Sequence, residues 1–464
     1  MIQKTNSLFF LIFIFSFVSQ TILTYDNSHF YRATYFFGEP RFEKKGLTSA
    51  DLFIGGGSTC QGYDACGHKT CLLNIYGPHN MLYLGKGVPG QDLSRETDAL
   101  MQKLSVIPQK ENFGKLLFSG QFNAFEIIFS FAQNFTKGFF FQIYLPVRKL
   151  EIRTISHCDL SPTKGQQICQ PLPCSYDSFS CNNNPYHRDC DNECSCMYQF
   201  SDPDYGCPND KNMYWQAFLR MFPRILQEHQ LSISDVCMDG SGDTTCFLGW
   251  TTNYDNLENI DYIDGTIRLG IVAPTSYVKD PDYAFSLPLG YDGHTGFIAS
   301  LDTSFGLYEW VTIGGHLDLI IFNKKSKCIR VKTACEQNGF IKLAKANVCY
   351  EKGNLYNFGA YFKADHVIGG FSCILGYILA AKQDDYITPF DFTCIDCDIA
   401  NSDQMLKQWR MHTINFLAEY DFSRENHAFG PRVGIFYNVV VGGRRIFATG
   451  MGGANFGFEV SWNL

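Results

Sequence analysis

The chain has 464 residues, of which 45% are hydrophobic, 16% aromatic and 18% charged, with 38 Lys and Arg against 46 Asp and Glu for a net charge of −8. Many aromatics and a low charge density exclude intrinsic disorder, and the absence of a basic excess argues against nucleic acid as a partner. The length suits either several soluble domains or one large β-barrel.

The amino-terminal segment 1–24 predicts a secretory signal peptide. Lys4 supplies a positive charge, 8–18 is an apolar run of 11 residues, and small and polar residues follow it. An uncleaved membrane anchor is the alternative, but 11 residues are too few to cross a bilayer as a helix. We therefore expect the mature chain to be 25–464, folded as a single domain.

Strict alternation of apolar and polar residues recurs along the mature chain. In 124–132, for example, Phe125 and Ile127 alternate with Glu126. Successive strand side chains point to opposite faces, so each such segment has one apolar face and one polar face. Many of these segments reach ten or more residues, which is long for a soluble sheet and matches a tilted membrane-spanning strand.

Twelve strands are predicted in this way. In chain order they lie near 47–58, 113–134, 138–154, 243–254, 259–273, 293–304, 307–322, 355–364, 367–382, 407–422, 430–441 and 446–464. Inside a membrane every backbone polar group must be paired, so the strands must close on themselves. The predicted fold class is all-β, a closed antiparallel transmembrane β-barrel of about twelve strands with long external loops.

Loop lengths support this topology. Short connections at 134–138, 254–259, 303–307, 364–366 and 423–429 alternate with long ones at 59–112, 155–242, 274–292, 323–354 and 383–407. Outer-membrane barrels have short periplasmic turns and long external loops. An even strand number then places both termini in the periplasm. Aromatic residues at strand ends, such as Phe139, Phe305, Tyr420 and Phe422, suit interfacial girdles.

The long connection 155–242 is rich in cysteine, and the chain has 19 cysteines in all. For an exported protein this composition predicts disulfides. Receptor binding, or metal binding through cysteines with His157 or His187, are the alternatives to simple loop stabilisation. The cysteines of this external module are Cys158, Cys169, Cys174, Cys181, Cys190, Cys194, Cys196 and Cys207.

Two further features lie within or just before this insertion. The segment 211–231 has apolar residues at helical spacing and predicts a helix over the barrel mouth, kinked or ended by Pro223. In the third strand the apolar parity switches after Pro146, which predicts either a bulge or the strand leaving the membrane.

The alternation over most of 113–464 resembles a bacterial outer-membrane β-barrel of the porin-like type. A terminal strand with Phe458 and Trp462 resembles the signal that the barrel-assembly machinery reads. The resemblance implies the outer membrane of a Gram-negative bacterium as the location. It implies the lipid bilayer and that machinery as partners, with small solutes as the transported class.

The polar faces of the predicted strands point into the barrel. Facing acids and bases usually line a wet passage or pair across it, while a closed polar plug is the alternative. The residues predicted to line the lumen are Glu126, Asp264, Arg268, Asp302, His316, Asp318, Glu419, Arg432 and Glu459.

The favoured function is a channel for passive diffusion of small solutes. The alternative is a surface structural or adhesion protein anchored by a non-conducting barrel. An enzyme is less favoured: outer-membrane phospholipase has His and Ser two residues apart on a lipid-facing strand, and neither His316 nor His412 is followed by Ser at that spacing. We predict no enzyme activity, no cofactor, and no catalytic or metal residues.

The odd cysteine number leaves at least one thiol unpaired. Cys373 lies on an apolar strand face, so we predict that it is the unpaired one, with most of the other eighteen bridged and Cys246 the foremost exception. Cys394 and Cys397 have redox spacing without a βαβ context, which favours structural disulfides.

Overall fold

A computed structural model describes residues 29–33, 47–88, 94–107, 112–161, 210–255, 260–307, 310–391, 395–422 and 429–461. The predicted signal peptide, Cys394, Trp462 and all of the predicted cysteine module except Cys158 lie outside these ranges.

Twelve long strands form the wall of the molecule. Most begin and end within about three residues of the positions predicted from the sequence, and we label them β1 to β12. They are β1 (Leu47–Thr59), β2 (Lys115–Asn134), β3 (Phe139–Asp159), β4 (Thr244–Tyr254), β5 (Tyr262–Ala273), β6 (Gly296–Gly306), β7 (Val311–Phe322), β8 (Leu355–Ile368), β9 (Phe371–Lys382), β10 (Trp409–Asp421), β11 (Phe429–Arg444) and β12 (Met451–Ser461).

Each strand pairs antiparallel with its neighbours in the chain, and β12 pairs with β1 from Leu47 opposite Ser461 to Gly56 opposite Gly452. That last pairing closes the sheet, so the predicted twelve-stranded antiparallel barrel is confirmed. Closure leaves no barrel strand with an unpaired edge, which is the condition for strands to lie in hydrocarbon.

The outer surface of the barrel is apolar. Since outward and inward side chains alternate, the predicted apolar parity faces outward and the polar parity faces the interior. We call the outward-facing set the belt, and its large members include Phe125, Phe129, Leu145, Leu248, Ile267, Leu269, Phe297, Leu301, Ile313, Leu317, Phe358, Leu375, Phe416, Ile435, Phe456 and Phe458. A surface of this kind is stable only against lipid.

Exposed aromatics concentrate at the end of the barrel that carries the short turns. Phe139 begins β3, Phe305 lies near the end of β6, and Tyr420 and Phe422 lie at the end of β10 with their ring centroids 4.7 Å apart. Amphipathic and aromatic rings prefer the membrane interface, so this end carries a girdle of the expected kind.

The parity change in β3 has a different cause from a bulge at Pro146. The pairing of β2 with β3 runs without a shift from Gln121 to Asn134, and the irregularity lies between Ser119 and Gln121, opposite Thr154 with its φ of 54°. Leu150 and Ile152 are buried on the inner face. Beyond Arg148 the strand therefore extends out of the membrane-spanning part of the wall, which is the second of the two predicted alternatives. Its apolar side chains there face a protein core.

That core belongs to the cap, by which we mean the described parts of the five long connections together with the turn 445–450. Its helices are α1 (Arg95–Ser105), α2 (Asp210–Glu228) and α3 (Cys397–Asn401), with 3₁₀ turns at Leu72–Asn74 and Gln404–Leu406. A further 3₁₀ turn, Thr136–Gly138, joins β2 to β3 at the opposite end. The short strands of the cap are Gln61–Tyr63, Lys69–Cys71, His79–Asn80, Val236–Ser241, Lys325–Arg330, Lys345–Glu351, Tyr386–Pro389 and Ile446–Phe447.

The predicted helix near 211–231 is present as α2. Its apolar side packs against the extended ends of β2 and β3. Within the helix, Trp215 stacks on Phe218 with ring centroids 5.2 Å apart. The Trp215 Nε1 donates to the Asp159 carboxylate of β3 at 2.7 Å. The helix does not end at Pro223, one of the two predicted alternatives, but continues to Glu228, because burial of this side outweighs the lost backbone bond. In the described part of the chain, no helix is long and apolar enough to cross a membrane.

The cap is packed like a soluble protein. Phe340 contacts Tyr76 and Phe285 with ring centroids 4.9 and 5.6 Å apart, and Phe118 of β2 contacts Phe285 at 5.6 Å. These rings form one apolar cluster with the side chains of α2 and the inner faces of β2 and β3. The end of the barrel that carries the long connections is therefore covered by a solid core.

Candidate functional site

The interior of the barrel carries its charged residues in separate groups. In the first, on β5, β6 and β7, the Arg268 guanidinium pairs with the Asp302 carboxylate, and Ser300 Oγ donates to Asp318 Oδ1 at 2.6 Å. His316 stands opposite Asp302 in the strand register. All five side chains are buried, so this stretch of wall is polar and tightly packed at the same time.

The second group joins β1, β10, β11 and β12 across the seam of the barrel. Arg432 Nη2 lies 2.9 Å from Asp51 Oδ1, and its Nη1 lies 3.4 Å from Glu459 Oε1. Asn455 Nδ2 donates to Glu419 Oε2 at 2.8 Å. One guanidinium therefore holds carboxylates from both terminal strands, which ties the first strand of the barrel to the last.

The third group lies between the wall and the amino-terminal segment. Glu126 of β2 accepts from two guanidinium groups: Arg148 Nε of β3 lies 3.0 Å from Glu126 Oε1, and Arg32 Nη1 contacts the same oxygen. Arg148 Nη1 also donates to the Leu289 carbonyl of the cap. All three charged side chains are fully buried, so removing both arginines would leave the Glu126 carboxylate buried without a partner charge.

The segment 29–33, which precedes β1, is held by the barrel and the cap together. Phe447 N donates to the Phe30 carbonyl at 2.7 Å, and Thr449 Oγ1 donates to the Tyr31 carbonyl at 3.0 Å. The His29 ring stacks on Tyr31 with centroids 5.0 Å apart. Every residue of the segment except half-buried Phe30 is buried. We call this segment the inner strap.

The structure places the residues predicted to line the lumen as follows. Eight of them have at most 6% of their surface exposed, and the Glu459 side chain is 17% exposed. Asp264 adjoins the first group, where it accepts from Asn253 Nδ2 at 2.6 Å and from Ser304 Oγ at 3.4 Å. The nine therefore face the interior, but they are distributed over three groups and form no single cluster.

Sequence reasoning missed other interior charges, among them Arg32, Asp51, Arg148, Lys363 and Asp365. Lys363 Nζ and Asp365 Oδ2 are 2.9 Å apart, and Asp365 also accepts from Ser372 Oγ. Strict parity would have found Arg148, which shares the inward parity of Gln142 and Tyr144. For Arg32 no periodic signal exists, since it lies outside any strand.

The near-complete burial of these charges indicates whether the interior of the barrel is open to water. An open aqueous lumen would leave the inward side chains exposed to water, whereas the inward charges named above are at most 6% exposed apart from Glu459. The described interior is thus closed in this conformation. What it can offer chemically is a set of fixed, paired charges that would line an aqueous path if the inner strap and the cap moved.

The cysteines follow the prediction in part. Cys373 is free, as expected, and so is Cys246. Six thiols that we expected to be bridged are also free in the described chain, namely Cys66, Cys237, Cys328, Cys335, Cys349 and Cys397. Several make polar contacts in place of a bridge, for example Cys237 Sγ with Glu151 Oε1 at 3.5 Å. Cys60 and Cys71 are disulfide-bonded.

The chain is similar to several solved structures at low sequence identity. An outer-membrane channel from Pseudomonas putida F1 is 10% identical with a TM-score of 0.43, and the match covers 90% of this chain and 95% of that one. The Pseudomonas putida toluene transporter TodX is 9% identical with a TM-score of 0.29 over 93% and 95% of the two chains. A Pseudomonas aeruginosa FadL homologue is 9% identical with a TM-score of 0.26 over 89% and 88%. No family model and no curated protein matches.

Proposed function

We propose that the barrel is an outer-membrane channel for the passive diffusion of small solutes, and that the conformation described above is its closed state. The observation that carries the proposal is the charged inner wall. Buried ion pairs contribute little stability compared with apolar side chains of the same volume. A barrel that served only as an anchor could be filled with apolar residues, so retained interior charge favours a path that water enters.

The location and the partners belong to the same proposal. The barrel lies in an outer membrane with its short turns and both ends of the described barrel, Leu47 and Ser461, on the periplasmic side. The exposed aromatics Phe456 and Phe458 of β12 contact lipid and form part of the signal read by the barrel-assembly machinery. The cap then faces the exterior, where its water-compatible surface belongs.

Opening requires the inner strap to leave the interior. Arg32 forms the ion pair between the strap and the wall, through Glu126, while Arg148 keeps Glu126 paired from the other side. Loss of Arg32 therefore removes the ionic contact between the strap and the wall, and Arg148 still pairs with the Glu126 carboxylate. The wall should still fold, and the closed state alone should be weakened.

Planar-bilayer conductance tests this proposal. We expect rare openings for the unaltered protein and a higher open probability for Arg32→Ala. Arg224→Ala is the matched control, because Arg224 is an exposed arginine of the cap whose side chain is 52% accessible. Its openings should match those of the unaltered protein.

A second candidate function, a non-conducting anchor for a surface structure, is favoured by one observation: both the interior and the cap are closely packed. The same recordings separate the two functions. If the unaltered protein and Arg32→Ala are both silent while circular dichroism shows intact barrels, the channel proposal fails and the anchor remains.

A further inference from the structure

A short hairpin of the cap brings three different metal-ligating side chains together. Its strands are Gln61–Tyr63 and Lys69–Cys71, and its loop is Asp64–His68. Asp64, Cys66 and His68 alternate along this loop. One ligand atom of each lies within 4.8 Å of the others, and no other trio of this kind occurs among the residues that the structure describes.

The loop backbone is fixed before any ligand arrives. Asp64 N donates to the His68 carbonyl at 2.9 Å, and Asp64 Oδ1 accepts from the amides of Cys66 and His68 at 2.8 and 2.9 Å. Gly67 has a φ of 89°, a conformation that favours glycine. Because Oδ1 holds the turn, Oδ2 is left on the side of His68 Nδ1, which lies 3.7 Å away.

Two neighbours hold this loop in place on the cap. Arg445 N donates to the Asp64 carbonyl at 3.1 Å, and Tyr63 pairs with Ile446 in a small three-stranded sheet. Cys60 directly precedes the first strand and Cys71 ends the second, and both cysteines are disulfide-bonded. The donor set thus stands on a rigid base, which lowers the entropy lost when an ion is bound.

We infer that Asp64, Cys66 and His68 bind a divalent metal ion of the zinc class. Tetrahedral Zn²⁺ with sulfur, nitrogen and oxygen ligands requires donor separations of about 3.3–3.8 Å, which the three side chains reach by small rotations. A carboxylate and a thiolate together balance the charge of the ion, and imidazole is a neutral third ligand.

The solvent exposure of these side chains determines what the fourth ligand of the ion can be. His68 is 82% exposed in its side chain, and Cys66 is exposed. The fourth position of the ion therefore faces solvent and takes water or a donor from another molecule. Among the exposed free thiols of the cap, Cys66 is the one with a histidine and a carboxylate within ligand distance, so Cys335 and Cys328 serve as thiols of similar exposure without such neighbours.

Metal binding by the full chain in detergent tests the inference. Binding of Co²⁺ can be measured by absorption, because a thiolate ligand gives a charge-transfer band. Added Zn²⁺ should displace the bound Co²⁺. We expect one Co²⁺ per chain to be lost in Cys66→Ser and weakened at least tenfold in His68→Asn, while Cys335→Ser keeps the spectrum and the stoichiometry of the unaltered protein. Added Zn²⁺ should also protect Cys66, but not Cys335, from alkylation.

Metal bound by other cysteines would appear equally in Cys66→Ser and in the unaltered protein. Identical Co²⁺ spectra and stoichiometry in these two proteins would overturn the inference. The same conclusion follows if Cys66 is alkylated at the same rate with and without Zn²⁺, or if mass spectrometry finds Cys66 in a disulfide. None of these outcomes depends on whether the barrel conducts.

Discussion

The barrel and the cap expose opposite kinds of residue. In the barrel the exposed belt is apolar, as at Leu317 and Ile267, while buried Arg432 and Asp51 are charged. In the cap the order is reversed: Phe218 is fully buried, and the charged pair of Arg224 and Glu96 lies on the surface. One chain thus folds by two rules, because lipid surrounds one part and water surrounds the other.

The comparison teaches which interactions matter in each part. In the cap, apolar packing against α2 supplies the stability and surface charges contribute little. In the barrel, the closed hydrogen-bonded sheet and the lipid contact supply it, and the interior ion pairs must be satisfied because each is cut off from water. The same pair of residue types, arginine and a carboxylate, should therefore have very different energetic weight in the two parts.

Removing a buried arginine tests this difference most strongly. Arg432→Leu leaves the Asp51 and Glu459 carboxylates without their partner, and breaking a buried pair in this way costs roughly 3–5 kcal/mol of unfolding free energy. Arg224→Leu is the matched substitution in the cap, where an exposed pair contributes about 0–1 kcal/mol. Urea unfolding of the purified protein in lipid vesicles measures both values.

Equal losses for the two variants would mean that the interior of the barrel is hydrated. The double variant Arg432→Leu with Asp51→Asn should recover part of the loss, because one of the stranded carboxylates is then neutral.

Placing a charge on an exposed apolar residue compares the outer surface of the barrel with that of the cap. Leu317 lies in the middle of β7 on the belt, and Leu317→Arg should reduce the unfolding free energy by about 2–4 kcal/mol or block insertion, since the charge would face lipid. Val106 follows α1 in the cap with 78% of its surface exposed, so Val106→Arg should change stability by less than about 0.5 kcal/mol.

The yield of heat-stable barrel on refolding into vesicles checks this prediction. If Leu317→Arg refolds as well as Val106→Arg, the belt does not face lipid.

The same contrast explains what the sequence could and could not predict. Strand positions followed from alternation, because a belt against lipid must be apolar at every second residue, as at Ile313 and Leu317. The nine interior residues followed from the complementary parity. This reasoning is local, since it needs only the period of the strand and the solvent on each side.

The cap and the inner strap were beyond such reasoning. Arg32 reaches Glu126 across 94 residues of sequence, and Arg148 reaches the Leu289 carbonyl across 141, so neither contact has a periodic signal. Free Cys66 also depends on distant packing, because pairing is decided by which strands meet. Parity gives the wall of a barrel, whereas what fills and covers it is set by tertiary contacts.

Acid should loosen the cap before the barrel, and His79 supplies about 2 kcal/mol of this loss between pH 6.5 and pH 5. Burial, with Lys342 nearby, lowers the pKa of His79 to about 3, and its Nε2 accepts from Phe340 N at 2.9 Å in the neutral form. An unfolded cap takes up this proton below pH about 6.5, whereas the folded cap does not. The contribution of His79 to cap stability is therefore constant above that pH and falls by about 1.4 kcal/mol per unit below it, down to pH about 3.

Amide hydrogen exchange of α2 and its neighbours between pH 7 and pH 5, corrected for intrinsic exchange rates, measures this loss. The variant His79→Gln keeps an acceptor for Phe340 N without a titrating group, so its slope should be shallower by the contribution of His79. His229 and His294, whose pKa values burial lowers to about 4, still contribute in both proteins. The barrel strands should keep their protection throughout, since the neutral His79 stabilises only the cap. An unchanged slope in His79→Gln would show that this ring is accessible to water and that the cap core around Phe340 is open.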